Sequence, residues 1–269
     1  MTRAIPVIPE YINLDKGISY AEYQRHINSY IFASKFVQNK VVLDVACGSG
    51  TGSTYLASRG AKAVFGGDIS KDALRDARRW NKDWWRVGFI LLDAEVLPFA
   101  DNSFDVVVSF ETIEHLKQPD KFLLECRRVL KKGGFFICAT PNKKVHSPLF
   151  RKPVNPYHLR EFYPGELCQL LSKYFVNIEV YGLRQLDLWN KTGVQAIHMA
   201  AQIILALFSR EKTQNFLYRL YPIISRESHI LEFGENIEET VDRNWQVIPI
   251  KDNLFTTPKT IVAAARAET

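Results

Sequence analysis

With 269 residues, 46% of them apolar and 24% charged, the chain is long enough to bury a sizeable core, and its composition excludes disorder and a fibrous repeat. A formal charge of +6 and an isoelectric point near 9.0 would admit a polyanionic partner. The excess is small for the length, however, and reads more simply as solvated helix faces and turns. No uncharged run reaches the roughly 20 residues that span a bilayer, and the start carries no apolar leader segment, so a cytoplasmic location is expected.

The stretch "SYAEYQRHINSYIFASKFV" (19–37) reads as one or two helices outside any sheet, within an N-terminal helical cap over 10–39. Tyr23 and Tyr30 lie there as candidates for a lid. Seven apolar runs follow, at 41–47, 63–68, 89–93, 104–110, 135–140, 177–183 and 260–265. They alternate with segments of helical period, a pattern that implies βαβ units on a largely parallel sheet covered on both faces.

Helices are expected at 51–59, at 70–80 with Ser70 as N-cap and Asp72 in its first turn, at 119–131 with Pro119 opening it, and at 164–173 behind Pro164. The "GG" at 133–134 is expected to stop the third. Trp80, Trp84 and Trp85 read as packing beside the second helix rather than as a substrate cage. The cysteines, Cys47, Cys126, Cys138 and Cys168, form no C-x-x-C pair and are expected as reduced thiols. Residues 186–259 are too many for a loop and read as a helical insertion. Its centre, 194–208, would pack on the domain or a partner, or lie on a membrane surface.

The most specific stretch is "VVLDVACGSGTGSTYLA" (41–57). A buried strand passes through Gly48, Gly50 and Gly52 into a helix, so backbone amides can approach a ligand without obstruction by Cβ atoms. Ser53 leaves the G-x-G-x-x-G of dinucleotide enzymes incomplete. Asp44, four residues before the first glycine, would suit a cationic amino group and repel a pyrophosphate.

Together these residues resemble motif I of the class I S-adenosylmethionine-dependent methyltransferases. The resemblance implies a Rossmann-like seven-stranded sheet with an antiparallel last strand: a core over 40–185, closed by 260–265. It also implies S-adenosyl-L-methionine as cofactor, held by Asp44, Ala46, Gly48 and Gly50. Asp68 would take both ribose hydroxyls with Ile69 beside it, Asp93, Ala94 and Glu95 would read the adenine, and Phe110 and Tyr30 would wall the methionine end.

Directly behind the fourth apolar run stands "FETIEHL" (110–116). If 111–115 forms a helical turn, Glu111, Glu114 and His115 share one face, and two carboxylates so close need a proton, an arginine or a metal ion between them. This E-x-x-E-H pattern with the later His158 resembles ubiquinone-biosynthesis O-methyltransferases and small-RNA ribose 2′-O-methyltransferases. That resemblance implies a divalent cation, Mg²⁺, Mn²⁺ or Zn²⁺, on Glu111, Glu114, His115 and His158. Without a metal, His115 would serve as general base while Glu111 lines the cofactor, or both would be structural.

"NPYHLREFYPGEL" further resembles glycan-modifying methyltransferases, although Ser29-Tyr30 stands where that group has Arg-Tyr. The expected function is O-methylation of a small molecule or glycan, such as a sugar, catechol or quinol. RNA 2′-O-methylation and a non-catalytic cofactor-binding role remain open.

Overall fold

The computed structural model describes residues 20–82, 84–147, 150–185, 245–249 and 260–268. Helix α1 (Tyr20–Ala33) runs into a 3-10 turn (Ser34–Phe36), and the chain then alternates as expected: β1 (Val41–Val45), α2 (Thr51–Ser58), β2 (Ala63–Asp68), α3 (Lys71–Trp80), β3 (Val87–Leu91) and β4 (Phe104–Phe110). A 3-10 turn (Ile113–His115) precedes α4 (Pro119–Val129), β5 (Leu130–Pro141), the short α5 (Lys143–His146), α6 (Pro164–Leu171), β6 (Val176–Gln185), β7 (Trp245–Pro249) and β8 (Thr260–Arg266).

The sheet order is β3-β2-β1-β4-β5-β8-β6-β7. β1 to β5 pair in parallel, and the closing strand β8 enters antiparallel between β5 and β6. The seven expected strands therefore form the expected Rossmann-like sheet. An eighth, β7, adds antiparallel to β6 at the edge. It lies inside 186–259, so part of the stretch read as helical is a strand. The remainder of that insertion, including 194–208, falls outside the described residues, as does the cap before Tyr20.

The strand period of two sends alternate residues into two cores. Leu43, Val107, Phe136 and Cys138 face α4 and α6 through Phe122, Leu123, Cys126, Leu167 and Leu171. Val42, Val106, Val108 and Ile137 face α1 and α2 through Ile27, Tyr30, Ala33, Leu56 and Ala57. The central strands β1, β4 and β5 are thereby apolar on both sides, which is why their runs read as continuous rather than alternating.

Ser70 caps α3 by accepting from Ala73 N at 3.2 Å. Gly133 and Gly134, expected to end α4, lie instead inside β5. The helix stops because Leu130 is already extended (φ −74°, ψ 136°). Gly133, at φ +69°, sits where the register of β5 against β4 slips between Phe104 and Val106. All four cysteines are free, with Cys168 half-buried and the others buried. Among the described residues no helix is long and apolar enough to cross a membrane.

Candidate active site

In a sheet of this topology the ligand crevice lies at the carboxyl ends of the parallel strands, and most residues singled out from the sequence follow those ends. The chain turns from β1 into α2 through Ala46, Gly48 and Gly50, at φ +62°, +55° and +76°. Among the described residues the other non-glycine residues with positive φ are Asn39, Asn102, Asn177 and Glu111. Asparagine tolerates this conformation, whereas Ala46 and Glu111 do not, and both follow the ends of the strands that build the crevice.

Asp44 has no exposed surface. Ser53 Oγ donates to its Oδ2 at 2.6 Å, and Tyr30 Oη reaches both carboxylate oxygens at 3.2 Å. The Tyr30 ring lies over Gly52, so closely that a Cβ there would stand 2.0 Å from it. It also meets Phe110 edge-on at 4.7 Å between centroids. α1 is thus pinned to the glycine loop. The side chain of Tyr23 lies outside the described residues.

Asp68 ends β2 and ties it to the same loop: Oδ2 accepts from Gly48 N at 2.9 Å and Oδ1 from Ser70 N at 2.8 Å. A carboxylate offers about four acceptor positions, so these amides leave acceptor capacity for a hydroxyl donor. Burial raises its pKa, with those amides pulling the other way. Beside it the apolar Ile69 is 67% exposed, and Val96, beyond β3, is 56% exposed. Asp93 is exposed and Ala94 buried. Asp93 Oδ1 accepts from Glu95 N, while Glu95 Oε1 accepts from Gln118 N at 2.9 Å and so anchors the start of α4.

Behind β4, the sheet holds Glu111 by its amide, which donates to Ala139 O at 2.8 Å. Only Ile113–His115 forms the turn, and it is 3-10 in form. Glu111 therefore parts from its two neighbours. Its Oε2 lies 3.9 Å from Arg25 Nη2 on α1.

Glu114 turns inward with no exposed surface. Its Oε2 accepts from Thr140 Oγ1 at 2.9 Å, and its main-chain oxygen accepts from Leu159 N and Arg160 N. Its Oε1 is buried without a hydrogen-bond partner. Burial and then the Glu111 charge push the Glu114 carboxyl well up, while Thr140 and the Arg25 charge act against them.

His115 Nδ1 stands 2.9 Å from Tyr157 O. A carbonyl only accepts, so in the neutral ring Nδ1 carries the hydrogen and Nε2 is the basic nitrogen. That nitrogen is 4.0 Å from Glu114 Oε1. The His158 ring meets that of His115 edge-on at 5.0 Å. Its Nδ1 pairs with Glu161 Oε1 at 3.0 Å, and its Nε2 stands 3.0 Å from Asn155 Nδ2. Asn155 Oδ1 accepts from Tyr157 N, which orients the amide to donate to His158.

Glu114, His115 and His158 each place a donor atom within 4.8 Å of the others. Three of the four residues expected around a cation thus converge, and Glu111 is not among them. A buried carboxylate oxygen without a partner beside an imidazole fits a divalent cation in donor chemistry. His158 would have to exchange a protein partner for it. Sequence reasoning missed Arg25, Asn155, Thr140 and Glu161. The H-x-x-E spacing of His158 and Glu161 was a visible signal for the last, whereas nothing local pointed to Arg25.

Residues 43–138 match the family model described as "Methyltransferase domain". Over 150 residues the chain is 36% identical to a probable S-adenosylmethionine-dependent methyltransferase of Mycolicibacterium smegmatis, covering 56% of this chain and 57% of the relative. It is 30% identical over 173 residues to a fatty-acid O-methyltransferase of the same organism, covering 64% and 60%. The chain therefore spans about three fifths of the length of these relatives. The crystal structure of the YcgJ protein from Bacillus subtilis superposes with a TM-score of 0.56 at 21% identity, over 91% of this chain and 100% of that one.

Matched domain, strand order and glycine loop agree, and residues 43–138 form a methyltransferase domain of the class I S-adenosylmethionine-dependent type. S-adenosyl-L-methionine is the methyl donor of this domain.

Proposed function

We propose that the protein transfers the sulfonium methyl of S-adenosyl-L-methionine to a hydroxyl oxygen of a small molecule, with His115 as general base. The carrying observation is the hydrogen bond from His115 Nδ1 to Tyr157 O at 2.9 Å. It leaves Nε2 basic in the turn that follows β4, at the end of the sheet where the methyl departs.

Asp44, Ala46, Gly48 and Gly50 would hold the methionine end and Asp68 the ribose. Ile69, Val96 and the 93–95 segment would receive the adenine, whose apolar faces account for exposed Ile69 and Val96. In-line displacement asks the protein chiefly to hold acceptor oxygen, methyl carbon and sulfur collinear while the base removes the hydroxyl proton. The fatty-acid O-methyltransferase among the relatives supports oxygen as the accepting atom. Sugars, catechols and quinols are the acceptor classes to test first.

A second reading adds a divalent cation on Glu114, His115 and His158, favoured by the unpartnered Glu114 Oε1. Such an ion would lower the pKa of a coordinated hydroxyl. A screen of hydroxylated acceptors with labelled methyl donor, run with EDTA or with Mn²⁺, tests both. H115A should lower kcat about 10²–10⁴-fold at unchanged donor affinity. Unaltered turnover by H115A would remove the proposed base, and loss of wild-type turnover in EDTA would select the metal reading.

A further inference from the structure

The turn after β4 carries two carboxylates, and one of the three charge-compensating solutions open to it is built into the fold. Arg25, delivered by α1, places Nη2 3.9 Å from Glu111 Oε2, with both side chains about four-fifths buried, at 19% and 18% exposure. We propose that Arg25 is the resident counter-ion of the Glu111–Glu114 turn, holding Glu111 apart from the Glu114–His115–His158 group and so keeping that group's affinity for divalent cations low.

The positions of the two acids carry the argument. Glu111 faces α1 and lies outside the group of donor atoms that Glu114, His115 and His158 form within 4.8 Å. That group then offers one carboxylate and two imidazoles, and His158 is engaged at both ring nitrogens. Hard divalent ions bind more tightly as anionic ligands accumulate, so holding Glu111 away weakens the site. Removing the guanidinium would release Glu111 and leave two neighbouring carboxylates uncompensated, a condition that favours uptake of a cation. The guanidinium cannot deprotonate at any ordinary pH, so this counter-ion is permanent.

The catalytic consequence, base catalysis by His115 without a metal, rests on the function proposed above; the counter-ion role does not. Mn²⁺ alone is the probe, titrated into the full chain after metal removal, with free ion followed by electron paramagnetic resonance. R25Q should bind Mn²⁺ at least about tenfold more tightly than wild type, the scale of a lost unit charge at short range and partial burial. R25K keeps the charge and should stay near wild type. E111Q added to R25Q should restore weak binding.

Equal affinity in wild type and R25Q, or an R25K gain as large as that of R25Q, would overturn the proposal. R25M, with its long aliphatic stem, replaces R25Q if circular dichroism shows that variant unfolded. Calorimetry with S-adenosyl-L-methionine on the same samples separates the two ideas. A wild type that does not bind the donor would sink the function while leaving the Mn²⁺ comparison valid.

Discussion

Asp44 lies wholly inside the fold, and burial pushes its carboxyl up to about 7 from an ordinary value near 3.8, against hydrogen bonds from Ser53 and Tyr30. The folded chain therefore holds a proton there that the unfolded chain has released. Stability falls as pH rises from about 4 to about 7 and then levels. A cation held beside Asp44 reverses the preference, because it favours the carboxylate. Affinity for S-adenosyl-L-methionine should accordingly rise from pH 6 to pH 8, with proton release on binding at pH 6, and D44N should flatten the slope. Calorimetry in buffers of different ionisation enthalpy reads both quantities. A pH-independent affinity with no proton release would remove Asp44 from the methionine end. The residue's place was legible because strand, acid and glycine loop lie within a dozen positions. Tyr30 was named as a lid and as a wall of the methionine end, but its bond to Asp44 was not foreseen, since a contact across 14 positions leaves no local signature.

Helix α1 shows what an element adds to these residues. It contributes Tyr30 to the glycine loop and Arg25 to the turn after β4, joining two parts of the site that the sheet alone would hold separately. Gly52 makes the first contact feasible, because any side chain there would enter the Tyr30 ring. G52A should therefore cost about 1–3 kcal/mol through overpacking, measured by denaturant unfolding. The cost should largely vanish in a Y30A background and persist in Y30F, which keeps the ring. An equal cost in all three backgrounds would place the strain elsewhere.

Elements were legible where period and caps agreed, as in α3 behind Ser70 or α4 behind Pro119. They were misread where backbone geometry overrode composition. Gly133 and Gly134 resemble a helix stop yet accommodate a register slip in β5. Glu111, expected on one helical face with Glu114 and His115, adopts φ +51° and leaves that face. β7 was hidden because its partner, β6, lies 60 positions earlier at Gln185 and Trp245.

At the scale of the molecule, sheet direction decides what the surplus charge can do. α3 starts beside the carboxyl end of β2, where Asp68 sits, and runs back toward the amino end of β3. Its basic last turn, with Arg78 and Arg79, therefore faces away from the crevice. Trp80, Trp84 and Trp85 are 50%, 39% and 83% exposed there, with Arg79 over Trp80 at 5.2 Å and Arg86 over Trp85 at 4.7 Å. The expectation of packed tryptophans thus holds least for Trp85. Arg86 directly precedes the amino end of β3, about a strand length from the carboxyl ends of the sheet, whereas Arg78 Nη2 donates to Phe89 O at mid-strand. For the acceptor that emerges from the screen, kcat/KM should change less than about threefold between 50 and 200 mM NaCl, because a small neutral hydroxyl compound releases no counterions on binding. An RNA gripped through several phosphates would lose about 10³-fold or more over the same interval. R78A with R79A should leave small-molecule turnover unchanged. A steep salt slope that this double variant flattens would replace the small-molecule reading with the ribose 2′-O-methylation that the E-x-x-E-H pattern leaves open.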